Sequence, residues 1–116
     1  MSKGKTILLK IVQTAVPHLK WKAIADDQAV VKLHKDKDAD RTLYFVMDEK
    51  RSIFTATSKW SAWIGWADAD SKVPEEAHFG EDDIEYDSPK EAYDAIMADL
   101  ALLEGAFGVL SGRKAA

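Results

Sequence analysis

The clearest pattern of apolar and polar positions lies in the stretch from Ser88 to Gly105. At about 100° per residue its apolar side chains share one face, and they are Ala92, Tyr93, Ile96, Met97, Leu100 and Leu103. Ser88 is a suitable N-cap, Pro89 fits the first helical position, and Glu91 can complete a capping box. Gly105 is the residue type that commonly follows the end of a helix. The pattern predicts one long C-terminal amphipathic helix, packed on a sheet.

Alternating apolar positions predict antiparallel strands through the first half of the chain. The hydrophobic run of 41–47 predicts a strand with neighbours on both sides, and Asp26-Asp27 predicts a turn between two shorter arms. A helix over residues 17–26 is an alternative, because Leu19, Ala23 and Ile24 are also spaced for a helix. The predicted strands are 6–13, 19–25, 29–34, 41–47 and 51–57.

Residues 59–70 contain three of the four tryptophans and fit two kinds of structure. A short helix would place Trp60, Trp63 and Ile64 on one face, whereas a strand would align Trp60, Ala62, Ile64 and Trp66. The helix is preferred by a narrow margin. The stretch 71–87 predicts a long acidic loop, with a possible short strand at 84–87. The expected fold is therefore α+β: a meander of about four or five strands with the C-terminal helix on one face and a short Trp-rich element, all in a single domain, 1–116.

Composition narrows the classes of protein without naming one. The chain has 116 residues, of which 47% are hydrophobic and 31% charged, the usual balance for a soluble globular domain. It has no cysteine, which excludes disulfides and cysteine nucleophiles and fits a cytoplasmic location. No apolar run approaches the roughly 18 residues needed to cross a bilayer, so no membrane partner is expected.

The net charge of −4 hides a division along the chain. Residues 1–60 carry 12 basic and 7 acidic side chains, whereas residues 68–104 carry 13 acidic and 2 basic ones. Such asymmetry can create surfaces of one sign. The alternative is that the two parts neutralise each other in the fold.

Motifs for catalysis or metal binding are missing from the sequence. Asp36, Asp38 and Asp40 imitate the start of a calcium loop, but the positions that require glycine and glutamate hold Arg41 and Met47. The three histidines lack the spacing of metal ligands, and no phosphate-binding glycine loop occurs. We therefore predict no catalytic residues, no metal site and no cofactor, and a small enzyme without a recognisable motif is retained only as a further alternative.

The dense carboxylates before the predicted helix suggest a binding function. Like charges repel one another unless a cationic partner compensates them, so we predict a non-enzymatic acidic protein-interaction module that engages a basic surface. A small inhibitor of the phage type, occupying the nucleic-acid-binding surface of a partner protein, fits the size and charge by association. The alternative is a solvated acidic loop. Aromatic anchors are common in interfaces, and the predicted partner-binding residues are Trp63, Trp66, Glu75, Glu76, Glu81, Asp82, Asp83, Glu85 and Asp87.

The second hypothesis is a single-stranded nucleic-acid-binding domain. The predicted hairpin of residues 19–34 carries Lys20, Lys22 and Lys32 near Trp21. Cations along the backbone and aromatic rings beneath the bases are what single strands require. If Trp21 is buried, however, the lysines are only the solvent side of a half-buried strand.

Overall fold

The structure is a computed structural model that describes residues 3–52, 54–55, 57–68, 74, 76–80 and 84–99. Its elements are two helices and five strands, which lie in the order α1 (Lys3–Ala15), β1 (Lys22–Ala25), β2 (Gln28–Asp36), β3 (Arg41–Arg51), β4 (Ser58–Asp68), β5 (Glu76–Gly80) and α2 (Pro89–Asp99). The architecture is α+β, as predicted. In the described part of the chain, neither helix is long and apolar enough to cross a membrane.

The sheet is an antiparallel meander in which each strand pairs with the next along the chain, in the order β1-β2-β3-β4-β5. The predicted turn at Asp26-Asp27 joins β1 to β2, and the predicted central strand is the start of β3. β3 and β4 pair from Arg41↔Asp68 to Arg51↔Ser58. This long pair forms the middle of the sheet. The helix considered for residues 17–26 is wrong, because Lys22–Ala25 form strand β1.

Both helices pack on one face of the sheet, which we call the helix face. Leu8 and Val12 of α1 and Ala92, Tyr93 and Ile96 of α2 belong to one core cluster. The sheet contributes side chains from the centre of its strands: Ala29, Val31, Phe45, Met47, Trp60, Ala62 and Ile64. Burial of this apolar area supplies the main driving force for folding.

The opposite face of the sheet, the outer face, has a smaller cluster of its own. Val30, Val46 and Trp63 are buried there, with Ile24 and Tyr44 packed against them. Because side chains alternate along a strand, residues next to these in sequence point to the helix face. The central strands are therefore apolar on both sides.

The strand predicted for residues 6–13 is wrong, because these residues lie in helix α1. The run from Ile7 to Val12 is apolar at nearly every position, so it fits either period. In the helix Leu8 and Val12, four residues apart, face the core, while Ile7 is 43% exposed. The tertiary fold thus selects the helical period, since it covers the helix face of the sheet.

The Trp-rich stretch is strand β4 and not a short helix. Trp60, Ala62 and Ile64 face the helices, as the strand alternative required, while Trp63 lies on the outer face. Burial on both faces produces a continuous apolar run that hides the strand period. The strand predicted at 51–57 is wrong too, because β3 continues to Arg51 and a hairpin loop follows it.

The predicted loop 71–87 contains strand β5, which the sequence did not reveal. Tyr86 makes an isolated bridge to Trp60, so the short strand expected at 84–87 is reduced to that bridge.

Helix α2 begins with the N-cap that its sequence predicts, but Glu91 bonds to the amide of Asp87 instead of that of Ser88, which a capping box requires. The Ser88 hydroxyl accepts a hydrogen bond from the Glu91 amide at 3.2 Å, and the Glu91 carboxylate accepts one from the Asp87 amide at 3.2 Å. Ala92, Tyr93 and Ile96 are buried, as the predicted apolar face required. The helix is described to Asp99, and the predicted continuation through residues 100–105 lies outside the described residues.

Candidate protein-interaction edge

Two described parts of the chain between β4 and α2 lie beside strand β4 at the border of the sheet. β5 pairs with β4 from Trp66↔Glu76 to Trp63↔Gly80. Further on, the amide and carbonyl of Tyr86 exchange two hydrogen bonds of 2.8 Å with Trp60. The backbone before α2 therefore forms the border of the sheet, and we call the part from Ile84 to Asp87 the acidic edge.

Glu85 and Asp87 are exposed at this edge. The Asp87 carboxylate accepts a hydrogen bond from the Lys59 ammonium, and this bond raises the pKa of Lys59 above its ordinary value of 10.5. Glu85 and Glu91 add weaker attraction to the same ammonium group. Lys59 is thus attracted by three carboxylates, of which that of Asp87 contributes most.

The other predicted acidic residues are described less fully. The backbone of Glu76 belongs to β5. Glu75, Glu81, Asp82 and Asp83 lie outside the described residues.

The strand order separates the acidic edge from the basic β1–β2 hairpin. Lys22 of β1 and Lys32 of β2 are exposed, and their strands lie four and three positions away from β5 in the sheet. Between β2 and β3, Lys35 pairs with Asp40 at 3.5 Å and Arg41 with Asp36 at 3.6 Å, so that turn neutralises its charges locally. The acidic edge and the β1–β2 hairpin therefore lie at opposite sides of the sheet, whereas Lys59, which belongs to the basic half of the chain, pairs with Asp87 of the edge.

The side chain of Trp63 is buried and hydrogen-bonded within the protein. It is only 6% exposed, and its indole N–H donates a 2.7 Å hydrogen bond to Asp48. The other carboxylate oxygen of Asp48 accepts a 2.8 Å bond from Gln28. This network fixes the indole across three strands, so Trp63 is not placed to act as an exposed anchor.

Trp66 is half-buried at the far end of β4 from the acidic edge. The Arg41 guanidinium lies 3.9 Å from the centre of its ring, and the His34 ring lies edge-on with centroids 6.5 Å apart. A cation over an indole face is attracted by the ring quadrupole. Trp66 thus forms an internal cation–π contact, and the structure does not bring it together with Glu85 and Asp87.

Trp21, the aromatic residue of the nucleic-acid hypothesis, packs into the helix face. Its ring lies 5.7 Å from Phe45 between centroids, and its indole N–H donates to the Val16 carbonyl at 3.1 Å. Lys22 pairs with Val30 and so projects towards the outer face. The Trp21 ring and the Lys22 side chain therefore point to opposite faces of the sheet.

Two exposed apolar side chains, one in the β3–β4 loop and one in the acidic edge, were not identified from the sequence. Phe54 is 91% exposed in the β3–β4 loop, and Ile84 is 47% exposed beside Glu85. The signal for Phe54 was the hydroxyl-rich stretch of 52–58, which is typical of a turn.

His18 contacts the hydroxyl of Tyr93 on helix α2. His18 lies 3.3 Å from the Tyr93 hydroxyl, and burial raises the pKa of that hydroxyl above 10.0. Within the ranges that the structure covers, no group of three or more His, Asp or Glu side chains is positioned to hold a metal ion.

Comparison of the chain with protein-family models, with curated proteins and with solved structures found no match.

Proposed function

We propose that this protein is a non-enzymatic interaction module whose acidic edge binds a basic surface of a partner protein. The finer proposal is that the carboxylates take the place of nucleic-acid phosphates, so that the module inhibits a nucleic-acid-binding protein, as a small phage inhibitor would. The cysteine-free composition fits action in a reducing cytoplasm.

The observation that carries the proposal is the strand order. In that order β5, which precedes the acidic edge along the chain, and the basic β1–β2 hairpin lie at opposite sides of the sheet. The exposed carboxylates of Glu85 and Asp87 lie at the edge near Lys59, and in this proposal they form the surface that a basic partner contacts. Complementary charge of this kind accelerates association and selects partners.

Nucleic-acid binding through the β1–β2 hairpin has weaker support. Single-strand binding requires bases to stack on an aromatic ring beside the cations. Trp21 is hydrogen-bonded and packed towards Phe45, so its ring is turned away from Lys22. The lysines are better explained as the solvated side of a half-buried strand.

The test is calorimetric titration with a lysine-rich synthetic peptide and with oligothymidylate at low and high salt. The variant Glu85→Gln/Asp87→Asn removes two exposed carboxylates at the edge. Its matched control is Asp38→Asn/Asp40→Asn, which removes two exposed carboxylates from the β2–β3 turn. Each pair includes one carboxylate that is ion-paired with a lysine, Lys59 or Lys35.

We expect the native chain to bind the peptide in a salt-sensitive manner, the edge variant to bind it several-fold more weakly, and the control variant to bind nearly as the native chain does. Equal losses in both variants would show that only total charge matters and would contradict the proposal. Tight binding of oligothymidylate by the native chain would favour the nucleic-acid alternative.

A further inference from the structure

Phe54 stands at the tip of an ordered hairpin. The Ser52 amide donates to the Thr57 carbonyl at 2.9 Å, which closes the loop between β3 and β4. Within the loop, the Ser52 hydroxyl accepts hydrogen bonds from the amides of Phe54 and Thr55, both at 3.3 Å. The hydroxyls of Thr55 and Thr57 are joined at 2.7 Å. The amides of Ser52, Phe54 and Thr55 are thus hydrogen-bonded, while the phenyl ring of Phe54 remains 91% exposed.

Two cations at the base of this hairpin, Arg51 and Lys59, are each paired with a carboxylate within the chain. Arg51 pairs with Glu49 at 3.2 Å, and the second Glu49 oxygen accepts a 2.8 Å bond from Ser58. Lys59 pairs with Asp87. The described tip carries hydroxyls and one phenyl ring, without a charge of its own. An anionic membrane or a nucleic acid would seek unpaired cations there, so a protein surface with apolar side chains is the better match.

The hairpin and the acidic edge adjoin each other. Lys59 is the second residue of β4 and lies across from Lys50 at the base of the hairpin. Its ammonium group contacts Asp87 of the acidic edge. Ile84, 47% exposed, lies three residues from Asp87. One end of the sheet therefore presents a phenyl ring, two exposed carboxylates and an aliphatic side chain.

We propose that Phe54 is the apolar anchor of the acidic edge and that the partner surface combines basic groups with adjacent apolar side chains. This inference rests on the proposed function for the charge of the partner, and it adds the apolar component. Trp63 and Trp66 do not supply that component, because their rings are engaged internally. Phenylalanine loses little conformational freedom on binding and buries a large apolar area, as residues that dominate interfaces do.

The test uses two synthetic peptides of 12 residues with equal charge. One alternates lysine and serine, and the other has leucine in place of two of the serines. Titrations compare the native chain, Phe54→Ser, Phe54→Leu and Glu85→Gln/Asp87→Asn. Ile7→Ser is the matched control, because it also removes an exposed apolar side chain, one from α1.

The native chain should bind the leucine peptide roughly tenfold more tightly than the serine peptide, since contact between leucine and Phe54 removes apolar surface from water. Phe54→Ser should abolish this preference, whereas Phe54→Leu and Ile7→Ser should keep most of it. The carboxylate variant should weaken both peptides and leave their ratio intact. Circular dichroism confirms that each variant is folded.

Equal binding of the two peptides by the native chain, or a preference that survives Phe54→Ser, would overturn the anchor while leaving the acidic edge standing. Failure of both peptides to bind would overturn the proposed function itself. Two further outcomes without a peptide preference would also overturn the anchor. Phe54-dependent binding to phosphatidylserine vesicles would assign the hairpin tip to a membrane. Phe54-dependent self-association in sedimentation would assign it to a second copy of the chain.

Discussion

The indole N–H of Trp63 lies 2.7 Å from a carboxylate oxygen of Asp48, across the two longest strands of the sheet. The same carboxylate accepts a hydrogen bond from Gln28 on β2. One charged group on β3 thus serves donors from both neighbouring strands. The bond places a tryptophan in the apolar cluster of the outer face without leaving its only donor unsatisfied, and it is the reason that this tryptophan is a structural residue.

Replacement of Asp48 by alanine should lower the free energy of unfolding by about 1–3 kcal/mol, because the Trp63 N–H would be left buried without an acceptor. Asp48→Asn retains an amide oxygen and should cost less. Urea unfolding followed by tryptophan fluorescence measures both. Unchanged stability in Asp48→Ala would show that the bond contributes nothing.

Alanine substitutions in α1 test whether residues 6–13 form a helix or the strand that the sequence predicts. Leu8 is fully buried and Ile7 is 43% exposed, so Leu8→Ala should cost about 2–5 kcal/mol and Ile7→Ala about 0.5 kcal/mol or less. Thermal or urea unfolding measures the loss of stability in Leu8→Ala and in Ile7→Ala. The reverse order would support the strand expected from the sequence, in which Ile7 faces the core.

The elements that could be predicted are those with one apolar face and recognisable ends. The α2 start was readable because Ser88 and Glu91 are residue types that bond to helix amides, and the β1–β2 turn because two aspartates interrupt an apolar alternation. Segment 6–13 and strand β4 were not readable in the same way. Ile7 and Leu8 are both apolar although only one is buried, and Trp60 and Trp63 are buried on opposite faces, so neither period stands out.

The candidate site was only partly accessible to sequence reasoning. The charge of Glu85 and Asp87 follows from the residue types, but their position opposite the basic hairpin depends on strand order, which is a long-range property. The tryptophans were chosen as anchors because aromatics dominate interfaces, yet exposure is decided by packing. Packing places Trp63 inside and leaves Phe54 outside.

The N-cap of α2 should be measurable separately from the core. Ser88→Ala removes the acceptor of the Glu91 amide and should lower the free energy of unfolding by about 1 kcal/mol, while Ser88→Asp should restore most of it. Chemical denaturation compares the three proteins. Equal stability of Ser88→Ala and the native chain would contradict the capping geometry.

Asp36 should titrate below its ordinary pKa. Its carboxylate accepts hydrogen bonds from the Ala39 amide at 3.2 Å and the Asp38 amide at 3.1 Å, and Arg41 lies nearby. The Ala39 bond is the largest cause lowering the pKa of Asp36 below 3.8, and the other bond and Arg41 act in the same direction. A lowered folded pKa means that the charged form stabilises the fold. This contribution is complete above the unfolded pKa and is lost as pH falls through the folded pKa.

Carboxyl-carbon NMR of Asp36 should therefore give a midpoint below 3.8, the ordinary value. The stability advantage of the native chain over Asp36→Asn should shrink as pH is lowered from about 5 to about 2. A midpoint at or above the ordinary value would refute the assignment.

The most direct test of the acidic edge is an NMR titration of the labelled native chain with the lysine-rich peptide at low salt, with amide shifts followed residue by residue. The proposed function predicts that the largest shifts occur at Ile84–Asp87 and at the neighbouring residues 58–60, that the β1–β2 hairpin barely responds, and that added salt reverses the changes. The largest shifts at the turn of residues 37–40, or shifts spread evenly over all exposed carboxylates, would contradict it.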